Sequence, residues 1–140
     1  MNETGHVTAD ALSVVRHGYD ALARGDVAGM LAVTSPDIEI YQSQSLPWGG
    51  RYHGHQGLLE FLAKVRAGLD SQVEIGELYV AGDDVIQVGR TRGVTTGTRT
   101  PFDAAEVHVW RVTDGRIGSL SVYADTDRLR EALQPDGTSS

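Results

Sequence analysis

One segment, AAEVHVWRVTDGRIGSLSVYAD at residues 104–125, constrains the fold more than any other part of the chain. Its first half alternates with a period of two, which is typical of a strand with two different faces. One face carries Glu106, His108 and Trp110, and the other carries Val107, Val109 and Arg111. The pair Asp114-Gly115 predicts a tight turn, so the segment is expected to be an antiparallel hairpin. One face of such a hairpin usually packs on the core.

The turn type decides which face that is. A two-residue loop at Asp114-Gly115 places the two valines of the first strand on the same face as Leu120 and Val122. A three-residue loop that includes Thr113, with the glycine in the left-handed conformation of a bulge, shifts the pairing by one residue. His108 and its neighbours on the same face then lie beside Leu120 and Val122. A slip of one residue exchanges whole faces, so both alternatives stay open at this point.

The composition argues against several classes of function. The 140 residues carry a net charge of -7, which offers no basic surface and predicts no nucleic-acid partner. The chain has no cysteine, which excludes disulfides and thiolate chemistry. The first residues lack the features of a secretion signal, and no apolar run reaches the length of a membrane span. The sequence therefore predicts a bacterial cytoplasmic protein without a membrane partner.

The chain divides into a helical first half and a β-rich second half. Apolar side chains at helical spacing predict helices at 8–24, 26–34 and 56–69, of which the second begins after Asp26 as its N-cap. Alternation and turn residues predict strands at 38–41, 72–81, 85–94, 102–112 and 117–124. A last short helix is expected to begin at Asp125 or Thr126. Helices followed by strands predict an α+β domain, with helices on one face of a curved antiparallel sheet.

Three phrases in the chain resemble the NTF2-like superfamily, and within it the SnoaL-like and ketosteroid-isomerase-like branch: HGYDALARGDVAGML, GRYHGHQGLLEFL and EVHVWRVTDGRIGSLSVYADT. The resemblance covers roughly residues 8–133. It implies a cone-shaped α+β fold in which about three N-terminal helices pack on the concave face of a strongly curved antiparallel sheet. It also implies a single domain over residues 1–140, with flexible ends at 1–7 and 134–140.

The resemblance implies a small hydrophobic molecule as the partner, bound in the cone without a cofactor, and a homodimer formed through the sheets. The superfamily includes isomerases, cyclases, dehydratases, epoxide hydrolases and plain binding modules, so the fold alone does not decide the activity. One hypothesis is a cofactor-independent acid/base enzyme acting on a polyketide-like or carbonyl compound. The alternative is a non-catalytic ligand-binding or accessory module of the same fold.

Two residues are candidates for acid/base catalysis. Resemblance to SnoaL-type cyclases makes Asp125 a general acid/base, although an Asp-Thr pair before a helix is also a common N-cap. Histidine side chains ordinarily titrate near neutral pH, so the residue type at His108 suits proton transfer, and Asp125 or Glu106 could orient it. The plainer interpretation of His108 is a half-buried histidine bonded to a neighbour. The histidines of HGH, at 53–55, are too few to predict a metal site.

Seven residues are predicted to line the cavity, although inward aromatic side chains are often simply core. They are Tyr19, Tyr41, Trp48, Tyr52, Trp110, Leu120 and Val122. Pocket positions of the family match His108 and Trp110, so the resemblance favours the bulged turn at Gly115.

The chain also departs from the steroid isomerases. Their base position is matched by Gln42, which cannot abstract a proton, and their oxyanion aspartate by His108. These departures argue against ketosteroid isomerase activity itself.

Overall fold

Four helices and six strands make up the described part of the chain. A computed structural model describes the backbone of residues 3–134 and the side-chain surroundings of residues 11–134. The helices are α1 (Glu3–Ala23), α2 (Val27–Ala32), α3 (Gly54–Gly68) and α4 (Thr126–Leu133). The strands are β1 (Thr34–Gln42), β2 (Gly50–His53), β3 (Leu69–Ala81), β4 (Asp84–Thr95), β5 (Pro101–Thr113) and β6 (Arg116–Ala124). Within residues 3–134, no helix is long and apolar enough to cross a membrane.

The six strands form one sheet in the order β2-β1-β6-β5-β4-β3. The pair β1 and β6 is parallel, and every other neighbouring pair is antiparallel. Helix α1 contacts β3 to β6, α3 packs mainly on β1, and α4 packs on β5. The predicted α+β architecture, with helices covering a largely antiparallel sheet, is confirmed.

Several elements differ from the sequence-based expectation. Strand β1, for example, begins at Thr34 rather than at residue 38. The sequence does not predict β2, because its four residues GRYH follow a segment rich in glycine and proline and are too few to show alternation. Pairing with β1 supplies the backbone hydrogen bonds of this short strand. Helix α1 begins at Glu3 rather than at residue 8. Of the ends predicted to be flexible, residues 1–2 and 135–140 lie outside the described residues.

The β5–β6 hairpin turns through a two-residue loop. Thr113 pairs with Arg116, which leaves only Asp114 and Gly115 between the strands. Both loop residues have positive φ, 54° and 78°, as a type I′ turn requires. Aspartate tolerates this conformation better than most residues and glycine adopts it freely. The prediction of a three-residue loop with its bulge at Gly115 is therefore wrong.

The inner face is nevertheless the one that the bulged alternative predicts, because an extra residue lies farther along β6. Gly118 has no direct partner, and the pairs on its two sides are Val112↔Ile117 and Arg111↔Ser119. Beyond this bulge Trp110 pairs with Leu120, and His108 pairs with Val122. These four side chains are all less than a tenth exposed. Val107 and Val109 point to the opposite, outer face of the sheet and are only partly buried.

The neighbouring strand is irregular at the same level. The β1–β6 register passes from Thr34↔Ile117 directly to Glu39↔Ser119. Bulges bend a strand and increase its twist. We call the line across β5, β6 and β1, at Val112, Gly118 and Thr34, the crease. At the crease and on its turn side the inner face is closely covered, and Val112, Thr34 and Ile117 are buried.

Candidate functional site

A cavity of about 150 Å³ lies between the inner face of the sheet and helices α1, α3 and α4. Its wall is mostly apolar, and the helices contribute side chains such as Leu58, Phe61 and Leu129. The sheet contributes polar side chains, among them Gln42 and His108. An apolar cavity of similar volume in an engineered protein takes up benzene. The cavity therefore suits a molecule built around a single ring.

Three buried side chains form a hydrogen-bonded chain in this wall, and a fourth, Glu106, lies at ion-pair distance from its end. Trp110 Nε1 donates to the Tyr19 hydroxyl at 2.8 Å, and the same oxygen lies 2.5 Å from Nδ1 of His108. On the far side of the imidazole, Nε2 lies 3.2 Å from Oε1 of Glu106. Each of the four residues is less than a tenth exposed. Helix α1 supplies Tyr19, and alternate residues of β5 supply the other three.

The indole determines the direction of the hydrogen bonds along the chain. An indole N–H only donates, so the oxygen of Tyr19 accepts from Trp110 and directs its own proton to His108 Nδ1. Nδ1 is therefore an acceptor, and the neutral imidazole carries its proton on Nε2, the nitrogen on the side of Glu106. Gln87 Nε2 lies 3.4 Å from Nδ1 and provides a second, longer donor. This direction places the Nε2 proton of His108 on the side of the imidazole that is 3.2 Å from one oxygen of Glu106.

Tyr19 keeps its proton because of its surroundings. Burial raises the pKa of the Tyr19 hydroxyl far above its usual range. The hydrogen bond from Trp110 opposes this shift, and the nearby carboxylate of Glu106 adds to it. Tyr19 therefore keeps its proton at every pH at which proteins ordinarily function, and it can donate that proton to a neutral His108.

Two buried polar atoms of the cavity wall have no hydrogen-bond partner among the described residues: Glu106 Oε2 and Gln42 Nε2. Glu106 is 5% exposed and Gln42 is 2% exposed. An unpaired buried polar group costs about 1–3 kcal/mol, so native proteins rarely retain one without a reason. Because both residues line the cavity, a bound molecule could provide the missing partners.

Five of the predicted wall residues line the cavity: Tyr19, Trp48, Trp110, Leu120 and Val122. The structure places the other two, Tyr41 and Tyr52, elsewhere. Tyr41 alternates with Gln42 along β1 and so points to the outer face, where the guanidinium of Arg51 lies 5.0 Å from its ring centre. Tyr52 is buried behind the wall, and its hydroxyl donates to the carbonyl oxygen of Trp48 at 2.9 Å.

The two predicted catalytic residues are separated in the structure. His108 lies in the cavity wall, whereas Asp125 does not contribute to it. Asp125 is the N-cap of α4: its side chain is 45% exposed and accepts from the backbone N–H of Arg128 at 3.2 Å. The cap is the role that the structure displays for Asp125. The carboxylate that reaches the cavity is Glu106.

Three polar residues were not among the predicted site residues: Gln42 and Glu106, which line the cavity, and Gln87, which contacts His108 from outside the lining. Glu106 was predicted only as a residue that could orient His108, and Gln42 only as the match to the base position of the steroid isomerases. A usable signal existed for Glu106, because it shares a strand face with His108 at a spacing of two. Gln87 is a polar residue within the run VIQV, and its burial is apparent only once the inner face of β4 is known. Gln42 ends β1, whose pairing with β6 brings it beside Val122 and cannot be derived from the sequence of β1 alone.

Comparison with known proteins identifies the family. Residues 15–119 match the family model of the SnoaL-like domain. An uncharacterised protein of Mycobacterium tuberculosis is 32% identical over 124 residues, which is 85% of this chain and 93% of that protein. An NTF2-like protein of Burkholderia thailandensis has a similar crystal structure, with a TM-score of 0.83 and 31% identity over 89% of this chain and 98% of that chain. TerC co-crystallized with polyporic acid is also similar, with a TM-score of 0.82 and 26% identity over 89% of this chain and 98% of that chain. The chain belongs to the SnoaL-like family of NTF2-like domains.

Proposed function

We propose that the chain catalyses proton transfer, without a cofactor, on a small and largely apolar carbonyl compound bound in the cavity. The observation that carries this proposal is the state of the Glu106 carboxylate. It is buried, one of its oxygens is oriented by His108, and the other is unpaired in a mostly apolar wall. A general base must hold an unpaired acceptor atom within reach of the substrate proton. In this arrangement one oxygen fixes the orientation of the carboxylate, and the other remains available to the substrate.

The proposed step begins when Oε2 of the ionised Glu106 removes a proton from the carbon next to the substrate carbonyl. The electron pair of the C–H bond forms a C–C double bond, and the carbonyl oxygen takes up the negative charge as an enolate. Protonated Glu106 then returns the proton to the same carbon or to a conjugated one. His108 and Tyr19 hold the carboxylate in place, so they are positioning residues in this step.

Three features support this class of substrate. The apolar wall favours a hydrophobic body, and the volume of about 150 Å³ favours a single ring. The few polar groups lie on the sheet, where they can orient one functional group of the ligand. TerC, which was co-crystallized with polyporic acid, supports an organic ligand for this fold.

We also infer a homodimer that forms through the outer face of the sheet. Tyr79, Val88 and Tyr123 are 49%, 40% and 52% exposed. Tyr123 and Val88 both pair with Val107. The side chains of Tyr123, Val107 and Val88 therefore form a row across β6, β5 and β4. Exposed apolar patches of this kind favour protein contacts, and a second copy presents the same patch.

Hydrogen–deuterium exchange tests the proposed chemistry. In D₂O, ¹H NMR follows the loss of the benzylic protons of phenylacetone, a ketone with one ring. We expect the wild-type protein to accelerate this exchange over buffer. Glu106→Gln keeps the size of the side chain but removes the base, so the rate should return to that of buffer. Asp125→Asn is the matched control: its carboxylate lies outside the cavity wall, and the variant should keep the wild-type rate.

Each other outcome has a definite meaning. Binding of phenylacetone without faster exchange would support the alternative, a non-catalytic ligand-binding module. Exchange that persists in Glu106→Gln, or disappears in Asp125→Asn, would contradict the role assigned to Glu106.

A further inference from the structure

The two unpaired atoms in the cavity wall have opposite hydrogen-bonding character. Gln42 Nε2 is a donor and Glu106 Oε2 is an acceptor, and neither has a partner among the described residues. The two atoms are chemically able to form a hydrogen bond with each other, but they do not form one in the structure. Both side chains are at least 95% buried, so bulk water does not compensate them. The cavity wall therefore contains one buried donor and one buried acceptor that a single ligand can bind.

The strand pairing shows what lies between the two residues. Gln42 and His108 both pair with Val122, and Glu106 pairs with Ala124, one step farther along β6. Two strand spacings and two residues along the strand separate the Cα atoms of Gln42 and Glu106 by roughly 12 Å. Val122 and Ala124 form an apolar floor in this interval, and both line the cavity. The gap therefore fits a small molecule that lies on this floor and touches both polar atoms.

We propose that Gln42 binds the carbonyl oxygen of the substrate, while the acidic hydrogen of the same molecule faces Glu106 Oε2. This inference rests on the proposed function of Glu106 and narrows its substrate to enolisable ketones with one ring. The Nε2–H of Gln42 stabilises the negative charge that the oxygen gains as the enolate forms. Gln42 is then a catalytic residue that contacts the substrate.

Two probes of nearly equal shape test the contact without requiring turnover. Acetophenone has a carbonyl oxygen where α-methylstyrene has a methylene group. We expect Gln42→Met to weaken the binding of acetophenone roughly tenfold relative to the binding of α-methylstyrene. This is the change in the ratio of their dissociation constants that the loss of one buried hydrogen bond should cause. Infrared spectra should show the carbonyl stretch of bound acetophenone at lower wavenumber in the wild type than in Gln42→Met. Gln87→Met, a buried glutamine that does not line the cavity, should retain the low wavenumber.

The infrared measurement on the wild type keeps the test decisive even if Gln42→Met does not fold. A carbonyl stretch like that in an apolar solvent would overturn the proposal, as would an unchanged ratio of dissociation constants or the absence of binding by both probes. A low stretch that requires Gln42, combined with exchange that does not depend on Glu106, would retain the Gln42 contact and reject the proposed base. The two failures are therefore distinguishable.

Discussion

Replacing Tyr19 with phenylalanine removes one hydroxyl from the middle of the buried chain and hardly changes the volume of the core. In the wild type this oxygen accepts from Trp110 Nε1 at 2.8 Å and donates to His108 Nδ1 at 2.5 Å. In Tyr19→Phe the indole N–H loses its partner, in a side chain that is only 1% exposed. Nδ1 of the imidazole keeps only its longer contact with Gln87 at 3.4 Å.

The expected change in the free energy of unfolding follows from these two lost contacts. A buried donor left unpaired costs about 1–3 kcal/mol, and an ordinary hydrogen bond contributes about 0.5–1.5 kcal/mol. Loss of the hydroxyl also removes the cost of burying it, which offsets part of the effect. We expect the free energy of unfolding to fall by about 2–3 kcal/mol, a large share of the 5–15 kcal/mol of a typical domain.

The same variant should show a defined pH dependence. Burial raises the pKa of Tyr19 in the folded protein, whereas in the unfolded chain it stays near its usual value of about 10. Above that pH the unfolded chain loses the proton and the folded protein does not, so the wild type loses stability as pH rises. Phenylalanine has no proton to lose. The stability difference between wild type and Tyr19→Phe should therefore shrink by about 1.4 kcal/mol between pH 8 and pH 11.

Urea unfolding, followed by circular dichroism at several pH values, measures both effects. Tyr52→Phe is the matched control, because Tyr52 is also buried and its hydroxyl makes one hydrogen bond, to the carbonyl of Trp48. It should cost about 1 kcal/mol at neutral pH. A loss in Tyr19→Phe no larger than in Tyr52→Phe would refute the assignment of two partners to the Tyr19 hydroxyl. A difference from the wild type that stays constant up to pH 11 would refute the burial of an un-ionised tyrosine.

Three further predictions concern the proton positions, the helix cap and the assembly. At pH 8, long-range ¹H–¹⁵N NMR should find His108 protonated at Nε2 and unprotonated at Nδ1, and the opposite tautomer would contradict the assigned direction of the hydrogen bond between Tyr19 and His108. Asp125→Ala should lower the free energy of unfolding by about 1 kcal/mol and Asp125→Asn by much less, since asparagine also caps helices; equal losses in urea unfolding would count against the cap. Sedimentation at a concentration on the order of tens of micromolar should show a dimer that Tyr123→Lys converts to monomer, and a monomeric wild type would reject the proposed interface.

Local patterns in the sequence predict most of the fold. Asp26 was expected to cap α2, and its side chain accepts from the backbone N–H of Gly29 at 2.9 Å. Alternation along β5 brings His108 and Trp110 to one face. That face is inner although the turn differs from the prediction, because the bulge at Gly118 has the effect on phase that was expected of Gly115. Side-chain periodicity is local, which explains why it survives an error in the turn.

The candidate site depends on contacts that the local pattern does not contain. Tyr19 and His108 are 89 positions apart, and only the packing of α1 on the sheet brings them together. Gln42 enters the wall through the parallel pairing of β1 with β6, which no turn residue specifies. Asp125 has the sequence context of both a cap and a catalytic carboxylate. Its orientation, which decides between them, depends on the start of α4 relative to the cavity.

The crease has a practical consequence for engineering this domain. At the crease and on its turn side, Val112, Thr34 and Ile117 are buried, and none of them lines the cavity. On its other side the same strands present Leu120 and Val122 to the cavity. The three packing residues at the crease are therefore separated along the strands from Leu120 and Val122, which line the cavity. A combinatorial library limited to the cavity side could change ligand preference while leaving the packing at the crease intact.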